Sequence, residues 1–240
     1  MKDLLTPTES VVKNNFAENV FQFIQHLHFP VSPPDGIEVM NPFLDPVTLN
    51  CCKQFYKKYY SDRNSRYMIL GINPGRFGGG ITGIPFTDPI RLQNVCGIEN
   101  PWAKKQELSS VFIYEMINEM GGPERFYSNF YITAVSPLGF TRGNKNLNYY
   151  DDKKLQDKLK EFVVECMNKQ LSFNINRNVA FCLGHGKNYQ YLTALNEEMK
   201  YFKTIIPLSH PRFIMQYKLK KKSEFIHQYV HEFSPWLPGK

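Results

Sequence analysis

The chain has 240 residues, with 29 Lys+Arg against 22 Asp+Glu for a net charge of +7, and 42% of it is hydrophobic. That apolar share, with 19 Phe and 14 Tyr, excludes a disordered chain, and no apolar run approaches the roughly 20 residues that cross a bilayer. Five cysteines, an odd number with Cys51 and Cys52 adjacent, predict a reducing compartment, and the positive balance favours a polyanionic partner.

In chain order, Thr6-Pro7-Thr8-Glu9 reads as a capping box with proline at the first helical position. It opens a helix whose face carries Val12, Phe16, Val20, Phe23, Ile24 and Leu27. A proline-rich loop over 30–36 follows, then a second helix from Asp45-Pro46 to about Tyr60. Residues 66–72 (RYMILGI) form a short apolar run ended by Asn73-Pro74-Gly75, which predicts a buried strand feeding a loop. Further strands are predicted at 130–135 (FYITAV), 178–183 (NVAFCL) and 202–208 (FKTIIPL). Helical periodicity separates them near 109–120, 151–172 and 187–199, and a last helix carries Phe225, Ile226, Tyr229 and Val230.

Strands alternating with helices predict an α/β fold: a mostly parallel four-stranded sheet in a three-layer arrangement, with helices on both faces. Ligands of such sheets bind beyond the carboxyl ends of the strands. The loops beginning near Asn73, Ser136, Gly184 and Ser209 should therefore share one rim. Asn73 and His210, far apart in sequence, come within reach of one ligand.

Two common motifs fail on context. Gly78, Gly80 and Gly83 satisfy G-x-G-x-x-G after a strand, but Ile84-Pro85-Phe86-Thr87-Asp88-Pro89 cannot open the helix that a dinucleotide fingerprint requires. No Gly-Lys-Ser/Thr follows to make a phosphate loop. What the glycines permit is close approach of backbone to a flat ligand, with Phe86 either as a stacking face or as a loop anchor in the core. No metal site is expected: C-x-x-C is absent, and His227 and His231 lack the glutamate of a zinc protease motif, Gln228 standing in its place.

The run GINPGRFGGGITGIPF at 71–86, followed much later by Ser209-His210-Pro211-Arg212, resembles the single-strand-selective monofunctional branch of the uracil-DNA glycosylase superfamily. The motif of that branch reads G-M-N-P-G-P-F-G, then T-G-V-P-F, and its second motif begins H-P. The likeness extends through 126–140 (FYSNFYITAVSPLGF) and Lys145-Asn146-Leu147. It spans residues 36–232 of a single 1–240 domain, with 1–35 as a helical extension.

The resemblance implies a cofactor-free enzyme that hydrolyses the bond between uracil and deoxyribose in DNA, single- or double-stranded, and leaves an abasic site. It implies that Asn73 positions water and His210 donates to the base O2. Backbone near Ile72 and Gly75 would hold the base while Phe86 stacks on it. In the segment 211–218 the apolar Phe213, Ile214 and Met215 would fill the gap left by a flipped base. Arg76, Arg212, Lys218, Lys220, Lys221 and Lys222 would hold phosphates.

Two positions depart from the pattern. Arg76 stands where the branch has proline, and Ala134 stands where F-V-H-N-L-C-P carries its base-reading asparagine. Losing that amide opens the pocket to other deaminated bases such as hypoxanthine or xanthine, unless Asn146 or groups at Ser136 compensate. A monomer is expected, in the cytoplasm alongside a bacterial nucleoid or in a eukaryotic nucleus. Two other readings stand beside this one: a catalytically silent nucleic-acid-binding module of the same fold, and a nucleoside- or nucleotide-processing α/β enzyme.

Overall fold

The computed structural model describes residues 14–237. The capping box expected at Thr6–Glu9 lies outside them. Within them, helix α1 (Phe16–Gln25) starts behind Asn15, whose side chain accepts from the Glu18 N–H while the Glu18 carboxylate accepts from the Asn15 N–H. Phe16, Val20, Phe23 and Ile24 turn inward from it, as the 3.6-residue period predicts.

Strands β2 (Arg66–Gly71), β3 (Phe130–Ala134), β6 (Ile175–Leu183) and β7 (Thr204–Leu208) form one parallel sheet in the order β3-β2-β6-β7. β2, β3 and the second half of β6 are buried nearly throughout and read as near-continuous apolar runs, whereas edge strand β7 is only partly buried. The register pairs Gly71 with Ala134, Leu70 with Cys182, and Leu183 with Leu208. All four carboxyl ends therefore finish at one rim, as predicted.

Around the sheet lie α2 (Pro46–Tyr60), α3 (Gly79–Thr82), α4 (Pro89–Asn94), α5 (Leu108–Glu119) and α6 (Pro123–Tyr127). After β3 come α7 (Lys153–Leu171), α8 (Lys187–Met199), α9 (Pro211–Tyr217) and α10 (Lys222–Phe233). Their starts follow from local chemistry. Asp45, Asp88 and Asp152 each accept a backbone N–H at a helix start, and proline follows the first two. The foot of β2 is fixed by the buried guanidinium of Arg66, which pairs with Asp62 at 2.8 Å and donates to the Tyr127 carbonyl at 2.7 Å. Arg66 also lies 4.5 Å from the Phe16 ring and 4.7 Å from the Tyr60 ring, so one cation fastens α1 and α2 to the sheet.

A second sheet was not anticipated. Strands β1 (Ile37–Met40), β4 (Gly139–Arg142) and β5 (Lys145–Leu147) pair antiparallel in the order β1-β4-β5. Each strand has only three or four residues, and β5 is largely exposed, so none shows a usable alternation in sequence. Gly143, at φ +56°, makes the turn between β4 and β5. This small sheet leans an arm over the rim where the parallel strands end.

Candidate active site

Beyond the carboxyl ends of β2 and β3 lies a cavity of about 910 Å³. Its walls come from the loop after β2, the end of β3, the arm around β5, and α9. Asn73 enters from the first of these. Its Nδ2 donates to the Leu147 carbonyl at 3.2 Å and to the Pro74 carbonyl at 3.3 Å, while its Oδ1 accepts the Tyr149 N–H at 3.0 Å. The two ends of the amide are thereby distinguished. Nδ2 faces carbonyls, and Oδ1 keeps a second lone pair for another donor.

His210 enters from the opposite side as the N-cap of α9. Its Nδ1 accepts the Arg212 N–H at 3.1 Å. A neutral imidazole that accepts at Nδ1 carries its proton on Nε2. Burial first, and the nearby Arg212 charge second, lower its pKa from 6.5 to about 4. At neutral pH His210 is thus an uncharged hydrogen-bond donor of fixed tautomer, held by the turn it begins.

Phe86 stands beside it, the ring centroids 5.9 Å apart. Its backbone adopts φ +52°, a left-handed conformation that costs a residue other than glycine roughly 1–3 kcal/mol. The ring packs over Gly71, where a β-carbon would come within 3.1 Å of it. Phe86 is therefore a wall of the cavity rather than a buried anchor. Asn146, at the end of the arm, accepts the Arg76 N–H on its Oδ1 at 3.1 Å. Its Nδ2 lies over Gly75, 3.3 Å from where a β-carbon would be. Ile72, Gly75, Arg76 and Ala134 complete the set that the cavity brings together. At Ala134 the wall of the cavity is a methyl group.

A flat aromatic wall, a neutral donor and an oriented amide around one cavity suit a planar base attached to a sugar. The sequence profile of the Uracil DNA glycosylase superfamily matches residues 57–234. The chain belongs to that superfamily. The fold is also similar to the crystal structure of wild-type Pedobacter heparinus SMUG2, with a TM-score of 0.90 and 49% identity over 92% of this chain and 97% of that one. This uracil-DNA glycosylase hydrolyses the N-glycosidic bond between a base and its deoxyribose.

Seven expected residues of the glycosylase fall outside the cavity wall: Ser136, Ile214, Met215 and the four lysines Lys218, Lys220, Lys221 and Lys222. Ser136 is fully buried, its hydroxyl donating to the Leu138 carbonyl at 2.8 Å and its N–H to the Ile72 carbonyl at 3.1 Å. With both donors committed, Ser136 extends the β2–β3 ladder and offers no donor to a base. Ile214 and Met215 are core residues, 0% and 9% exposed, and they correct the expected wedge. The reason is helical phase: Pro211, Ile214 and Met215 follow an i, i+3, i+4 pattern against α5. That turns Arg212, Phe213, Gln216 and Tyr217 toward the cavity mouth. Phe213 and Tyr217 are exposed, with ring centroids 5.7 Å apart.

The lysine cluster divides in the same way. Lys222 pairs with Glu115 at 2.6 Å and Lys221 with Glu224 at 3.5 Å. Lys218 and Lys220 make no ion pair among the described residues of the glycosylase. His227 sits against Glu119 and His231 against Glu232. No group of three potential metal ligands occurs among the described residues.

Sequence reasoning missed Phe77, Lys105, Lys145 and Tyr217, all of which line the cavity. Arg76 lies over the Phe77 ring at 4.9 Å. Tyr217 had a usable signal, since it stands four residues after Phe213 in a helix that opens His-Pro. Lys105 and Lys145 had none, because only the tertiary fold brings their segments to the mouth. Glu107 lines the same mouth, but its carboxylate accepts the Ser110 N–H at the start of α5.

Proposed function

We propose that Asn73 and His210 work as a pair across this cavity, and that the enzyme removes uracil and also deaminated purines from DNA. In this hydrolysis the glycosidic bond lengthens ahead of water attack. Positive charge develops on the sugar and negative charge on the departing base. Asn73 cannot take a proton outright, but its free Oδ1 lone pair orients a water for the sugar carbon. His210 Nε2–H stabilises the base as it becomes anionic. A neutral donor does so without first losing a water shell around a charge. Phe86 stacks on the base, and Asn146 offers an amide donor above Gly75.

The observation that carries this reading is the pinning of both side chains by backbone groups, which leaves one functional atom on each for substrate. Ala134 supports the wider substrate range. Without an amide there, cytosine and uracil lose the usual discriminator of the branch, and the methyl group leaves more room than an asparagine side chain would. DNA approaches over α9, where Phe213 and Tyr217 fill the gap left by the flipped base. Arg76, Lys105, Lys145, Arg212, Lys218 and Lys220 supply positive charge for phosphates. The enzyme acts as a monomer in whichever compartment holds the genome.

The test uses labelled oligonucleotides carrying uracil, hypoxanthine or xanthine, single-stranded and paired, with alkali cleavage of abasic sites after incubation. Release of uracil together with at least one deaminated purine is expected. Release of uracil alone would return base discrimination to groups other than residue 134, and no release of any base would overturn the proposal.

A further inference from the structure

Of the four loops at the rim, the one after β6 lines no part of the cavity, yet it is wired to the catalytic asparagine. Tyr149, whose N–H holds Asn73 Oδ1, is fully buried and donates its hydroxyl to Asn188 Oδ1 at 2.8 Å. Asn188 lies in the first turn of α8 and is 1% exposed. Its Nδ2 donates to the Leu183 carbonyl at the end of β6 and to Cys182 Sγ, both at 3.3 Å. Gly184, at φ +124°, then donates its N–H to the Leu208 carbonyl at 2.7 Å. Leu208 ends β7 two residues before His210.

The chain Asn73–Tyr149–Asn188–Leu183–Leu208 thus runs behind the cavity from one catalytic side chain to the strand that delivers the other. Every link is a hydrogen bond or a short covalent step, and the side chains of Tyr149 and Asn188 are fully buried. The arm that carries Leu147 and Tyr149 is tied to β4 through short, exposed β5 and to the loop after β2 through Asn146, and the Tyr149–Asn188 bond is its link to the end of β6.

We propose that the buried Tyr149–Asn188 pair is a strut that sets the position of Asn73 relative to His210. Tyr149 and Asn188 are positioning residues, acting on the water-orienting amide from behind and touching no substrate. The inference rests on the reading of Asn73 and His210 given above. A displacement of a reacting group by about 1 Å costs up to about a hundredfold in rate, so losing the strut should appear in the chemical step and not in DNA binding.

The experiment is a double-mutant cycle on single-turnover uracil excision, with affinity measured for an oligonucleotide carrying 2′-fluoro-deoxyuridine, which resists hydrolysis. Tyr149→Phe is expected to slow excision about ten- to a hundredfold while affinity stays within about twofold. In the Asn73→Ala background the same substitution should have no further effect, because the amide it positions is gone. Loss of stability is separated by the double variant Tyr149→Phe/Asn188→Leu. Replacing both polar partners by apolar groups removes the orphaned Asn188 acceptor but also the donor to Leu183 and Cys182, so thermal stability should recover in part while the rate stays low.

Three results would overturn the strut: an unchanged rate in Tyr149→Phe, an equal further loss in the Asn73→Ala background, or recovery of the rate together with stability in the double variant. Full activity of Asn73→Ala would instead remove the reading of the catalytic pair, and the strut with it.

Discussion

The two banks of the cavity are built on different principles. His210 is held by its own neighbourhood: Arg212, two residues on, supplies the N–H that fixes its ring, and the first turn of α9 follows at once. Asn73 is held from a distance, by Leu147 and Tyr149 on an arm more than seventy residues later. A cap formed within one turn survives wherever that turn forms. A clamp closed across the molecule depends on every element between its jaws. The His210 bank should therefore tolerate substitutions that respect the cap, whereas the Asn73 bank should tolerate almost none.

The sharpest way to break this contrast is a pair of substitutions. His210→Asn keeps a good N-cap but removes the Nε2–H, so excision should fall by about 10²–10³-fold with the melting temperature nearly unchanged. Asn73→Asp puts a carboxylate oxygen where Nδ2 now faces the carbonyls of Leu147 and Pro74. It should lose at least as much rate and also lower the melting temperature below that of Asn73→Ala, since like partial charges meet without relief. Equal stability of Asn73→Asp and the parent enzyme would show that the clamp is looser than its hydrogen bonds imply.

Next in size is the dependence on pH. The folded His210 titrates near 4 against 6.5 for an ordinary histidine, so between those values the unfolded chain binds more protons than the folded one. His210 therefore lowers stability as pH falls from about 6.5 toward 4 and contributes no such change above 6.5. Excision should show no inflection from this residue between pH 5 and 8, and the imidazole resonances should titrate near 4 by NMR. A midpoint at 6 or above would mean that the ring is not buried neutral, and the two banks would then differ less than the structure shows.

The same contrast explains what could be read in the sequence. The parallel sheet was legible because RYMILG, FYITA and NVAFCL are buried along most of their length and so carry near-continuous apolar runs. The residue pair Asn73 and His210 was legible because both follow strand ends and so share a rim. The arm was not, because Lys145–Leu147 is short, polar and exposed and has meaning only through what it grips. Ser136 and Ile214 were misassigned for a related reason. Ser136 was expected through its backbone groups, but the β2–β3 ladder claims its N–H, and helical phase turns Ile214 inward. The same phase turns Phe213 outward to the cavity mouth.

The smallest effect divides the lysines of the α9–α10 junction. Phosphate contacts release counterions, and each should contribute about 0.7–0.9 to the slope of log affinity against log salt. Lys218 and Lys220 are exposed and make no ion pair among the described residues, so Lys218→Ala and Lys220→Ala should each flatten that slope by about this amount. Lys222 spends its charge on Glu115 and Lys221 sits against Glu224. Lys222→Ala should leave the slope nearly unchanged, and Lys221→Ala should fall between. Measuring affinity for a 2′-fluoro-deoxyuridine oligonucleotide at several salt concentrations would rank the four. If Lys222 gave the largest change, the Glu115 pair would have to open on DNA, and α10 would belong to the binding surface along with α9.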